Sequence, residues 1–263
     1  MGQKAIFFDV DGTLMDSDMA IPPSVGAAIA GLKRQGHLSF VCSGRTKVNA
    51  MDPRLVKLGF DGWIFGCGTM VEYGEEELLY YRIPVDAAVR TVEVLRKWNQ
   101  ESMLEGKDIL YVYDGFDLES QPTGLREHLR GKLGSISSNY GKWEFSKVVC
   151  KVDPGASNLA MLMRELSDLY TFQIHDGNRL VEMVPKGFTK GTGIAAMSEH
   201  LGISCKDTFC FGDSVNDIEM LHAVGTGIVM GNGEPAAKEA ADYVTDPVAE
   251  NGIYNALEHL GLI

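Results

Sequence analysis

The chain has 263 residues, 45% hydrophobic and 23% charged, which is globular composition with ample apolar material for a core or two smaller ones. Its formal net charge is -12, from 36 acidic against 24 basic residues, and no basic cluster interrupts it. Nucleic acid and anionic membrane are therefore excluded as expected partners, since both are bound mainly through gathered Lys and Arg.

The five cysteines form no C-x-x-C pair, and the six histidines are scattered without H-E-x-x-H spacing. A disulfide framework or zinc site is not expected, and any metal should be a hard cation on oxygen ligands. Met1-Gly2-Gln3-Lys4 passes straight into an apolar run, without a leader pattern, and no apolar stretch is long enough to span a bilayer. A reducing cytoplasm is the expected setting.

In chain order, Ala5–Phe8 is a continuous apolar run, as expected of a strand covered on both faces. It runs into Asp9-Val10-Asp11-Gly12-Thr13. Two acids two residues apart on extended chain project to one side, and Gly12 lets the backbone turn away tightly. A strand that loses its apolar run into D-x-D-G-T is hard to explain by packing. Ser24 is expected to cap a helix stopping at Gly36. A second strand, Leu38–Cys42, leads into Ser43-Gly44-Arg45. There a hydroxyl beside a glycine could donate to a phosphoryl oxygen, although Ser-Gly is also common turn chemistry. Trp63–Phe65 reads as a third strand.

The middle of the chain reads differently. A helix is expected over Asp86–Asn99, strands over Ile109–Tyr113 and Ser146–Val152, and a helix over Asn158–Leu169. Two further strands, Tyr170–His175 and Arg179–Val184, are joined by Asp176-Gly177-Asn178, a good hairpin loop. Strands that adjoin in sequence imply an α+β unit with an antiparallel sheet. We expect this unit, residues 83–184, to be a cap inserted into a core made of residues 1–82 and 185–263, with hinges near Pro84 and Pro185.

The core resumes with Thr189, expected to cap a helix stopping at Gly202. Lys190 in its first turn conflicts with the partly positive helix end, so an anion nearby is one reading and a solvated lysine another. Strand Thr208–Phe211 leads into Gly212-Asp213-Ser214-Val215-Asn216-Asp217, where Ser214 can cap a helix stopping near Gly225. Gly227–Met230 is a weaker fifth strand. The alternation of strand and helix at both ends implies an α/β fold with a doubly wound, Rossmann-like parallel sheet.

Together D-x-D-G-T, S-G-R, K-G opening a helix, and G-D-x-x-N-D resemble, in order, the four motifs of the haloacid dehalogenase-like superfamily of phosphatases. The resemblance is closest to the Cof-type sugar-phosphatase branch, which carries a large α/β cap between the second and third motifs. The segments around Met230-Gly231-Asn232-Gly233, Ala241–Thr245 and Glu250-Asn251-Gly252 also look like the family's last segments. One departure stands out: the family usually has Asn-Gly after the third core strand, whereas this chain reads Gly66-Cys67-Gly68. A thiol cannot reproduce an amide's two-sided hydrogen bonding.

The resemblance implies a phosphatase acting on small phosphorylated metabolites, with sugar phosphates the expected class. Like charges about 4 Å apart at an effective dielectric of about 20 repel by roughly 4 kcal/mol, so a carboxylate can reach a phosphate dianion only beside cations. The resemblance supplies Mg²⁺ on Asp9, Asp213 and the Asp11 backbone carbonyl, with Lys190 adding charge. It implies that Asp9 is the nucleophile forming an aspartyl-phosphate, Asp11 the general acid and base, and Ser43 a donor to the phosphoryl group. Gly44 and Arg45 support that turn, and Asn216 and Asp217 order the metal site. Polar cap residues such as Asp114, His175 and Glu182 are candidates for recognising the leaving group. A phosphomutase on the same fold is the alternative enzyme. A receiver-type signalling domain also pairs Asp, Mg²⁺ and Lys, but has no use for a cap of roughly 100 residues.

Overall fold

The computed structural model describes residues 2–121, 123–151, 158–175 and 180–263. The strands, in chain order, are β1 (Ala5–Phe8), β2 (Leu38–Cys42), β3 (Gly62–Phe65), β4 (Met70–Tyr73), β5 (Glu76–Tyr80), β6 (Ser102–Glu105), β7 (Leu110–Val112), β8 (Leu133–Ser135), β9 (Lys147–Lys151), β10 (Tyr170–His175), β11 (Leu180–Pro185), β12 (Thr208–Gly212), β13 (Thr226–Val229) and β14 (Tyr243–Val244). They form two sheets, and the chain divides into two compact units. Among the described residues no helix is long and apolar enough to cross a membrane.

The first unit comprises Met1–Gly44, Met51–Leu79 and Phe188–Ile263. Its sheet has the order β14-β13-β12-β1-β2-β3-β4-β5, parallel from β14 to β3. Every residue of β1 is buried, because both faces of this central strand are covered. Phe7 stacks on its partner Phe40 in β2 at 5.0 Å between centroids, and Phe8 on its partner Phe211 in β12 at 5.1 Å. The sequence changes direction at β1, with β2 on one side and β12 on the other. Ligands of such sheets sit outside the carboxyl ends of the strands at that switch.

Some elements depart from expectation. Ser24 does not cap its helix: the helix is Pro23–Arg34, with Pro22 at the cap and Pro23 in the first turn, so preset backbone angles start it rather than a side-chain hydroxyl. The strand pair β4 and β5, with β4 antiparallel to β3, extends the parallel sheet beyond what the sequence announces. Thr189 does cap helix Lys190–Leu201, through a reciprocal box with Thr192, and Gly202 ends it in the left-handed conformation. Ser214 caps a single 3-10 turn, Val215–Asp217, which leads into helix Ile218–Ala223.

The second unit comprises Tyr80–Gly187 together with Arg45–Ala50. Its sheet has the order β10-β11-β9-β6-β7-β8, antiparallel except between β7 and β8. Alternation along the strands divides the two faces. Leu104, Val148, Cys150, Val181 and Met183 pack with residues of helices Val85–Lys97 and Asn158–Leu166, among them Val92, Leu95, Leu162 and Leu166. Met103, Glu105, Lys147, Val149, Glu182 and Gln173 share the opposite face by register. There Leu110 and Val112 meet Val48 and Leu129. The expected hairpin residues Asp176-Gly177-Asn178, with Val152 and Arg179, lie outside the described residues.

Candidate active site

Three adjacent strands of the first unit each end one residue before a polar group: β1 before Asp9, β2 before Ser43 and β12 before Asp213. Helix Lys190–Leu201 adds Lys190 from its first turn, and the 3-10 turn adds Asn216 and Asp217. Lys190 Nζ lies 2.5 Å from Asp9 Oδ1 and 2.6 Å from Asp217 Oδ1, with Asn216 Oδ1 at 3.5 Å. The lysine that opposes its helix end is therefore held by two buried carboxylates. Burial disfavours the Lys190 ammonium, but Asp217 and Asp9 override it and hold the group well above the usual lysine range.

Asp217 is fully buried, and its oxygens are committed. Oδ1 accepts from Lys190, and Oδ2 accepts from the backbone N–H groups of Asp213 at 2.9 Å and Ser214 at 3.1 Å. Gly212 allows this approach, since a Cβ there would stand 2.7 Å from the Asp217 carboxylate. Ser214 donates to Asn216 Oδ1 at 2.7 Å, which fixes that side chain beside Lys190.

Asp9, Asp213 and Asp217 each bring a carboxylate oxygen within 4.8 Å of the others. Burial raises Asp9 to about 8, against the pull of Lys190 and with the help of Asp217. Burial likewise raises Asp213 to about 7, with Asp217 adding to it. Asp213 Oδ1 is buried without a hydrogen-bond partner, as is Thr13 Oγ1. An orphaned buried carboxylate oxygen facing two more carboxylates fits an oxygen-coordinated cation. With Asp217 already committed, Asp9 and Asp213 are the residues able to hold one directly.

Gly12 has φ +81°, and a Cβ there would lie 2.2 Å from Asp213 Oδ2, so this turn admits only glycine beside the acid. Asn232 donates to the Gly12 carbonyl at 2.8 Å and accepts from the Val248 N–H at 2.9 Å, which pins the turn. Sequence reasoning gave Asn232 and Thr13 no role. The signal for Asn232 was its place between Gly231 and Gly233. Asp11 is exposed and lines a hollow of about 520 Å³ with Gly12, Asp213 and Asn232.

Ser43 is buried, its N–H donating to Ile64 O at 2.8 Å and its carbonyl accepting from Cys67 N at 3.1 Å. Cys67 is left-handed (φ 55°, ψ 43°) between two glycines that also have positive φ. That conformation costs a residue with a Cβ about 1–2 kcal/mol, and asparagine tolerates it better than cysteine. Gly44 closes one segment of the first unit, and Arg45 opens the short segment counted with the second.

The three candidates in the second unit belong to or follow different strands. Glu182 accepts from the buried Lys147 at 2.7 Å. Asp114 lies beyond β7, where Ser137 and Ser135 donate to it and hold its carboxyl below the usual range. His175 ends β10, and its side chain lies outside the described set.

The sequence profile of the haloacid dehalogenase-like hydrolases matches residues 6–257. Among curated relatives, the putative phosphatase YkrA of Bacillus subtilis is 33% identical over 273 residues, covering 100% of both chains. An HMP-PP phosphatase of Escherichia coli is 28% identical, covering 87% of this chain and 84% of its own. Among solved structures, the subclass IIB sugar phosphatase BT4131 superposes with a TM-score of 0.81 at 26% identity, covering 99% of this chain and 100% of its own. The chain belongs to the haloacid dehalogenase-like hydrolases, and within them to the phosphatases.

Proposed function

We propose that the protein is a Mg²⁺-dependent phosphatase of small phosphorylated metabolites, sugar phosphates foremost, working through an aspartyl-phosphate on Asp9. The observation that carries this reading is the buried Lys190 ammonium set between Asp9 and Asp217, with the orphaned Asp213 oxygen beside them. One ammonium among three carboxylates leaves the site short of positive charge. Asp9, Asp213 and the Asp11 backbone carbonyl would hold Mg²⁺, which would supply that charge and let a phosphate dianion approach a carboxylate. The relatives' names, an HMP-PP phosphatase and a sugar phosphatase, support the substrate class.

In the first half-reaction an Asp9 carboxylate oxygen attacks phosphorus in line with the leaving oxygen. The P–O bond to the metabolite breaks while Asp11 gives its proton to the departing alkoxide. In the second, Asp11 takes a proton from water as that water attacks the same phosphorus. The acyl-phosphate bond then opens, freeing inorganic phosphate and regenerating Asp9. Asp11 is exposed and lines the hollow beside Asp213, within reach of solvent. Lys190 and Ser43 bond oxygens of the transferring group, Gly44 and Arg45 complete the turn after Ser43, and Asn216 and Asp217 hold Lys190 in place. Selection of the leaving group is the part we assign to the second unit, with Glu182, Asp114 and His175 as candidates.

Release of inorganic phosphate from a panel of phosphorylated metabolites tests the reading. Turnover should vanish in chelator, return with Mg²⁺, and be absent from a folded Asp9→Asn variant. Substantial turnover in that variant, full activity in chelator, or recovery with zinc alone would overturn it.

A further inference from the structure

Outside the site, Lys147 and Glu105 form a second buried cluster of charge among the described residues, on one face of the second unit's sheet. Lys147 is 1% exposed, and its Nζ lies 2.7 Å from Glu182 Oε1 and 3.6 Å from Glu105 Oε2. The phosphoryl chemistry does not use Glu105. Its carboxylate reaches instead toward the chain that continues from Ser43. Asn49 Nδ2 donates to Glu105 Oε1 at 2.8 Å, and Thr46 Oγ1 donates to Oε2 at 3.4 Å. One carboxylate thus holds two points of the segment that starts two residues after Ser43.

That segment cannot hold itself. Helix Lys47–Ala50 is four residues long, far below the length at which a helix persists alone, so its place is set by what it packs against. Val48 sits among Leu110, Val112 and Leu129, and its carbonyl meets His128 Nε2 at 2.6 Å. These contacts fix the helix at one point, and Glu105 adds the polar contacts that fix its rotation. Ser43 is tied by backbone hydrogen bonds to Ile64 and Cys67 of the first unit, only three residues before Thr46. The intervening turn, Gly44-Arg45, is therefore tethered at both ends.

We propose that Glu105 is a positioning residue for the phosphate-binding turn, acting through Asn49 and Thr46, with Lys147 paired to its carboxylate from the other side. The inference rests on the role of Ser43 given above. Charge-assisted hydrogen bonds are the stronger kind, and the turn they steady is the one that must match a phosphoryl oxygen closely.

The test uses the full chain with p-nitrophenyl phosphate as substrate and inorganic phosphate as competitive inhibitor. Asn49→Asp sets a carboxylate against Glu105. It should weaken phosphate on the order of 3- to 10-fold and raise KM more than it lowers kcat, as expected for lost ground-state binding. Combining Asn49→Asp with Glu105→Gln reverses donor and acceptor at unchanged total charge, and should restore phosphate affinity. Ser43→Ala should weaken phosphate by itself and make Asn49→Asp nearly silent. Arg90→Ala removes a surface ion pair with Asp168 in the same unit, and should leave phosphate affinity unchanged whatever it does to stability. If Ser43→Ala weakens phosphate while Asn49→Asp does not, the positioning role is wrong and Ser43 keeps its own. An unchanged inhibition constant in Ser43→Ala overturns the Ser43 assignment, and the inference with it. Should Glu105→Gln alone fail to fold, Asn49→Asp in the two Ser43 backgrounds still decides.

Discussion

Replacing Asp213 with asparagine should make the metal-free protein more stable while it ends catalysis. Asp213 shares its pocket with the carboxylates of Asp9 and Asp217, with oxygens of all three inside 4.8 Å. At an effective dielectric near 20, the Asp213–Asp217 pair repels by about 3.5 kcal/mol, and the Lys190 charge works against that repulsion. Burial first and Asp217 second raise the Asp213 carboxyl from 3.8 to about 7, which corresponds to about 4 kcal/mol at 1.36 kcal/mol for each unit. Asp213 is partly exposed, so solvent screening reduces the expectation to about 2–4 kcal/mol. Its Oδ1 has no hydrogen bond to lose.

The sign follows from linkage. The folded state binds the Asp213 proton more tightly than the unfolded state does. Stability from this group is therefore full below pH 3.8, falls as pH rises toward about 7, and stays low above that. The gain in Asp213→Asn should be greatest at pH 8 and roughly half as large at pH 5.5. Thermal unfolding in chelator should show a midpoint roughly 5–10 °C above wild type at pH 8. Saturating Mg²⁺ should raise wild type and not the variant, closing or reversing the gap. A variant less stable than wild type in chelator at pH 8, or a gain that grows toward pH 5.5, would refute the reasoning.

Other substitutions bear on separate parts of the site. Asp11→Asn should slow esters with alkoxide leaving groups at least tenfold more than p-nitrophenyl phosphate, whose leaving group barely needs a proton; equal losses in single-turnover phosphorylation would count against the acid role. Gly12→Ala forces a Cβ to 2.2 Å from Asp213 in a backbone region that favours glycine, so Mg²⁺-dependent turnover should fall a hundredfold or more, measured by phosphate release. Cys67→Asn suits the left-handed backbone better and should raise the unfolding midpoint by a few degrees; a lower midpoint would show that the thiol is held by packing that an amide disrupts. Exchanging the second unit, taken as residues 45–50 plus 80–187, for that of a relative with another preference should move the substrate ranking and leave the Mg²⁺ requirement in place.

The strand ends that build the candidate site were legible because each breaks a local rule. Asp9 and Asp213 terminate apolar runs that packing would have continued, and Lys190 opposes the helix it opens. The caps at Thr189 and Gly202 were readable because their chemistry is local. What escaped lacked a local signature. Strand β5 begins with two glutamates and lies at a sheet edge, where only pairing with β4 marks it as a strand. Strand β6 is four residues long and too short to show a period. Ser24 had the right chemistry for a cap, but Pro22 and Pro23 had already set the backbone. No property of Thr46 or Asn49 announces Glu105, more than fifty residues on. Asn232 matters through Gly12, from the other end of the chain.

Because Arg45–Ala50 belongs with the second unit, the chain passes between units at four places rather than two. The smaller unit is thus discontinuous in sequence, a folded body whose missing piece is encoded some thirty residues upstream. A fragment expressed as residues 80–187 would lack Val48 over Leu110, Val112 and Leu129, and Asn49 and Thr46 on Glu105. It would present a greasy patch beside a buried acid with fewer partners, the kind of surface that draws copies together. A synthetic peptide spanning residues 43–52 is its natural complement in trans. Replacing the second unit by recombination therefore means exchanging two separate segments together, across four junctions.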